Sequence, residues 1–172
     1  MSTATVRERK SALLRESYVE TRLGCGLRAL VYAKPGFVKK AAMVVSAYGS
    51  LDTTFDADGA GPKETPAGIA HFLEHQLFKK ERGDLLMEYG RYGASANAFT
   101  YYNSTCFYFT TSEQFDPNLS LLLDTVFTPW FSAEGVANEK QIIEQELRMY
   151  NDSPERQIYR NLMAALYQKH RV

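Results

Sequence analysis

His71 and His75 are two of only three histidines in this chain, and Glu74 stands between them in the run His-Phe-Leu-Glu-His. On a helix, residues four apart lie one turn along the same face, so both imidazoles can reach one metal ion with a carboxylate alongside. The order H-x-x-E-H reverses the commoner H-E-x-x-H, keeping the ring pair and moving the acid to the other side of the second ring. The chemistry tolerates that exchange, because activating a water at a metal requires only a nearby base.

The helix that must carry the pair is expected to open at Thr65 as N-cap, with Pro66 in its first turn, and to continue through Ile69, Phe72, Leu73 and Leu77. Those apolar positions adjoin the histidines at helical spacing. The preceding Asp56 to Gly61 resembles a calcium loop only superficially, since Ala60 and Ala67 fall where oxygen ligands are required, and it reads as a glycine-rich connection.

Two imidazoles make an incomplete catalytic site; three protein ligands and an open position are usual. His170 sits beside the basic terminus, and Cys25 and Cys106 lack any C-x-x-C spacing. A carboxylate is therefore sought in Glu134 to Tyr150, a proline-free segment of helix-forming composition. Glu139 and Glu146 share one face there, with Ile142 and Ile143 between them, while Glu144 is rotated away. Seven residues separate those two acids by roughly 10 Å along the axis, so one is a ligand and the other serves something nearby. Spacing alone leaves the choice open.

Three blocks resemble the metallopeptidases of the pitrilysin and insulinase type, closest to the bacterial, processing-peptidase-like branch. Gly68 to Lys80 (GIAHFLEHQLFKK) is similar to their first metal helix, Gly93 to Thr105 (GASANAFTYYNST) to their G-A-x-x-N-A-x-T segment, and Glu139 to Tyr150 (EKQIIEQELRMY) to the helix bearing the last ligand. The likeness extends from about Ser17 to Tyr150, with Gln76 standing where Met is frequent and Cys25 in a turn that often holds Asp or Asn. It implies one zinc ion held by His71, His75 and Glu146, with Glu74 as general base, Glu139 as a supporting acid, and Asn97 and Ala98 as substrate-binding positions. The implied activity is hydrolysis of internal bonds in extended peptides or small unfolded polypeptides. The alternatives are a non-catalytic assembly subunit and a structural metal-binding module. Implied partners are a peptide substrate and a second, homologous domain or subunit, in a homo- or heterodimer. Because members of that family are longer, the chain is expected to be an N-terminal fragment, and its activity alone is left open.

The remaining elements frame this site. Strands are predicted over Leu27 to Ala33 and Ala41 to Tyr48, and helices over Asp84 to Tyr92, from Asp116 through Phe127, after Ser132, and from Glu155 towards His170. Ala96 to Tyr102 and Cys106 to Thr111 read as a hairpin turning at Asn103 and Ser104. If its first strand lies at a sheet edge, the small residues Ser95 to Ala98 either admit an extended peptide or let a helix pack closely. This pattern indicates an α+β fold, a mixed or antiparallel sheet with helices packed on one face.

Residues 1–19 are expected to form an N-terminal extension, short and helical or frayed, and residues 20–172 the metal-binding domain. Arg7, Arg9, Lys10 and Arg15 there are interspersed with Glu8, Glu16 and Glu20, unlike an organellar presequence. Twenty basic residues balance twenty acidic ones, so no net field favours nucleic acid or an anionic membrane, and no apolar run approaches a membrane span. Two isolated cysteines without secretory context suggest free thiols in a reducing compartment, and a cytoplasmic location is expected.

Overall fold

The structure, a computed structural model, describes residues 6–56, 58–167 and 169. His170, set aside above as a ligand, lies outside the described residues. The chain divides into two compact units, Met1–Val38 and Lys39–Val172.

The first unit is an antiparallel meander of β1 (Val6–Ser11), β2 (Glu16–Arg22) and β3 (Arg28–Val31). The expectation of a helical or frayed extension is thereby corrected, and the boundary expected after residue 19 falls inside β2. The mixed charges pair across strands instead of along a helix. Glu20 accepts from Arg9 at 3.1 Å and from Arg28 at 2.7 Å, and the two guanidinium hydrogen bonds hold its carboxyl below the ordinary range. Tyr18 and Tyr32 stack with centroids 4.8 Å apart. Such partners are distant in sequence, so a local reading of charge could not find them.

The second unit contains β4 (Lys40–Ser46), β5 (Thr54–Phe55), β6 (Lys63–Glu64), α1 (Ile69–Leu77), β7 (Lys79–Lys80), β8 (Gly83–Asp84) and α2 (Leu85–Arg91). There follow β9 (Ala94–Thr100), β10 (Thr105–Thr111), α3 (Phe115–Phe127), α4 (Ala133–Asn151) and α5 (Pro154–Leu166). Its main sheet has the antiparallel order β4-β10-β9, which puts β9 at an edge. β5 with β6, and β7 with β8, form two short ribbons. None of the helices among the described residues is long and apolar enough to cross a membrane.

Period-two alternation gives the sheet one covered face. Phe107 and Phe109 of central β10 join Phe78, Leu85, Tyr89, Leu121 and Leu122 in the core, with Ala42, Val44, Ala94, Ala96 and Ala98 packed against it. Met43, Val45 and Phe99, at alternate positions, are exposed. The fold is thus α+β with helices on one sheet face. The alanines of β9 are small because helices α1 and α2 press against that strand.

Several ends are capped as their residues require. Asp84 accepts from Leu86 N at 2.9 Å, and Ser132 from Gly135 N at 3.0 Å. Helix α1 departs from expectation. It begins at Ile69, after Gly68 at φ 87°, because Thr65 donates to the Thr53 carbonyl through both its N–H (2.7 Å) and its hydroxyl (3.2 Å). Glycine suits that left-handed turn, which only a residue without Cβ enters at no steric cost. Lys80 supplies a further cap: its buried ammonium donates to the carbonyls of Asp124 (2.9 Å), Thr125 (3.3 Å) and Thr128 (2.6 Å) at the end of α3.

Gln76 is fully buried beside Gly135 in the first turn of α4, and neither polar atom of its amide has a hydrogen-bonding partner among the described residues. A buried amide left this way loses its hydration without recompense. Gln76→Met, similar in volume and apolar, should therefore stabilise the fold by about 1–2 kcal/mol. The check is the thermal unfolding midpoint, which should rise; a fall would show that the amide contributes to packing around α4.

Candidate metal centre

Helix α1 presents His71 and His75 one turn apart, and α4 packs against it. The Nε2 atoms of the two rings lie 3.1 Å apart. Glu146 of α4 places Oε2 3.7 Å from His71 Nε2 and 3.6 Å from His75 Nε2. Among the described residues, these three side chains form a group able to hold a metal ion, with their ligating atoms within 4.8 Å of one another.

Glu139 does not join that group. Its Oε1 lies 2.8 Å from His75 Nδ1, on the far side of the ring, and its side chain is almost wholly buried. A carboxylate only accepts, so the shared hydrogen belongs to Nδ1, and the lone pair of the neutral ring is turned to Nε2. Two acids seven residues apart on α4 thus reach opposite sides of one imidazole.

The donor set fits zinc. Imidazole nitrogens and a carboxylate oxygen are its usual ligands, and nitrogens bound tetrahedrally at 2.0–2.1 Å must lie roughly 3.3 Å from one another. The ring nitrogens already stand at 3.1 Å. The carboxylate and ring arrangement behind them follows the pattern that orients ligating histidines.

Glu74 points elsewhere on α1. It is only 9% exposed, and its Oε2 accepts from the Thr100 hydroxyl at 2.7 Å, which ties the helix to the end of edge strand β9. On β9, Asn97 lies on the open face and accepts from Ala98 N–H through Oδ1 at 2.8 Å, while Ala98 turns its methyl towards the core. The expected substrate positions are therefore on an edge strand, where the Asn97 side chain occupies the Ala98 N–H.

Two contacts escaped the sequence reading. Thr100 meets Glu74 only through tertiary packing, and no local signal marks it. Tyr150 donates its hydroxyl hydrogen to Glu146 Oε1, a bond that holds the phenol above its ordinary pKa range. Here the signal existed, since Tyr150 follows Glu146 by four residues on one helix.

The family described as Insulinase (Peptidase family M16) matches residues 61–172. The chain belongs to peptidase family M16. This M16 chain is 39% identical over 160 residues to the zinc protease YmfH of Bacillus subtilis, covering 92% of its own length and 37% of that protein. A solved M16-like peptidase from Alicyclobacillus acidocaldarius superposes with a TM-score of 0.83 at 34% identity, over 99% of the M16 chain and 37% of its counterpart. Pitrilysin superposes with a TM-score of 0.69 at 25% identity, over 87% of the M16 chain and 16% of its own. The M16 chain thus spans little more than a third of the length of the first two relatives.

Proposed function

We propose that the protein is a zinc-dependent endopeptidase that cleaves internal bonds of extended peptides or small unfolded polypeptides. The observation that carries this reading is the convergence of His71, His75 and Glu146 from two helices, with Glu74 of the same α1 hydrogen-bonded to Thr100. Similarity to proteins named zinc proteases supports it.

In this reading His71, His75 and Glu146 hold one zinc ion, and Glu139 fixes the tautomer and orientation of His75. A bound zinc ion supplies Lewis acidity towards the attacking water and the scissile carbonyl. Glu74 is the general base. Thr100 occupies its Oε2, leaving Oε1 to take a proton from water and deliver it to the leaving amine. The substrate lies along β9 as an added strand, bound through backbone hydrogen bonds near Asn97 and Ala98, a mode that demands little of side-chain sequence. Its partners are the peptide and the portion by which the relatives exceed this chain, in the same or a homologous subunit. We place the protein in a reducing compartment, the cytoplasm, in keeping with exposed, unpaired Cys25.

The test is metal removal from the intact protein. One zinc per chain is expected by elemental analysis, a chelator should abolish cleavage of an unstructured peptide, and added zinc should restore it. Cleavage that survives complete removal of metal would sink the reading.

A further inference from the structure

The two oxygens of Glu146 face different ways. Oε2 approaches the two imidazole nitrogens at 3.7 and 3.6 Å, whereas Oε1 receives the Tyr150 hydroxyl hydrogen. A carboxylate with no such partner turns about its last single bond and can offer either oxygen or both. The phenol removes that freedom, and since Tyr150 lies one turn further along α4, it does so from the same rigid element.

Tyr150 is itself held from the next helix. The guanidinium carbon of Arg156, in the first turn of α5, lies 3.5 Å from the centre of the Tyr150 ring, a cation–π contact. Around it, Gln157 Nε2 donates to Asn151 O at 2.5 Å and Arg160 Nη1 to Asn151 Oδ1 at 3.1 Å, so the start of α5 is fastened to the end of α4. A chain of contacts runs from α5 through one phenol to the carboxylate beside the histidines.

We propose that Tyr150 is a positioning residue for the metal centre: it occupies Glu146 Oε1, commits Oε2 alone to the ion, and is kept in place by Arg156 stacked on its ring. The proposal rests on the reading of His71, His75 and Glu146 as a zinc site. It deepens that reading by assigning a role to a residue outside the ligand set.

The experiment measures zinc affinity of the intact protein by competition with a chromophoric chelator, together with the visible absorption spectrum of the cobalt(II)-substituted form. Tyr150→Phe keeps the ring and the Arg156 contact and removes only the hydroxyl. It should bind zinc about 10–100-fold more weakly, the usual cost of losing an outer partner of a ligand. Its cobalt absorption should weaken, because a Glu146 free to bind through both oxygens raises the coordination number. Arg156→Gln should shift both readouts the same way by a smaller factor, and the unfolding midpoint of either metal-free variant should match the wild type. Wild-type zinc affinity and an unaltered cobalt spectrum in Tyr150→Phe would overturn the proposal. Should that variant fold poorly, an unaltered spectrum in Arg156→Gln overturns it equally. A wild-type protein that fails to bind zinc refutes the metal site itself, so the two failures are distinguishable.

Discussion

Replacing Glu74 with Gln will leave zinc bound and reduce peptide turnover by about 10²- to 10⁴-fold, the usual contribution of a positioned general base. The substitution is nearly isosteric, and the amide oxygen can still accept from the Thr100 hydroxyl, which now meets Oε2 at 2.7 Å. The side chain is 9% exposed and lies outside the three-residue group, so neither solvation nor the ligand set changes much. What disappears is the lone pair that takes the proton. The measurement pairs kcat on an unstructured peptide with zinc content in the same preparation. Turnover close to wild type at full zinc occupancy would exclude Glu74 as the base.

Glu146→Gln will cost the protein its zinc, and two neighbouring substitutions set the scale. Glu139→Gln should weaken zinc binding about 10–100-fold, because it replaces the charged acceptor behind His75 with a neutral, weaker one without removing a ligand. Glu144→Gln should leave affinity unchanged: that side chain is exposed and pairs with Arg148 at 2.7 Å, a surface contact of about 0.3–0.5 kcal/mol. Glu146→Gln replaces the only anion in the ligand group and should exceed the Glu139 effect. Competition titrations on the three variants would show the order. Equal affinities for the Glu146 and Glu144 variants would remove Glu146 from the site.

The parts of this arrangement legible in sequence are those set by one helix. His71 with His75, and Glu139 with Glu146, follow from the 3.6-residue period, and the caps at Asp84 and Ser132 from the residues themselves. Which acid approaches the ring nitrogens did not follow from spacing. Glu139 and Glu146 share a face, and only the packing of α4 on α1 places one at Nδ1 and the other near Nε2 of the same ring.

Where the reading failed, a distant partner outweighed local preference. Thr65 and Pro66 form a sound helix start, yet Thr53 captures Thr65. Arg9 and Glu20 belong to neighbouring strands, so their alternation with other charges described a meander and not a frayed helix. Nothing local marks Lys80 as the residue whose ammonium closes the end of α3.

The Thr100 hydroxyl has a consequence for energy exchange between strand and helix. It sits at the last residue of β9, so the strand proposed to dock a peptide also anchors the proposed proton acceptor. Free-energy coupling of this kind is reciprocal. By whatever factor a docked peptide strengthens the Thr100 to Glu74 bond, that bond strengthens the grip on the peptide.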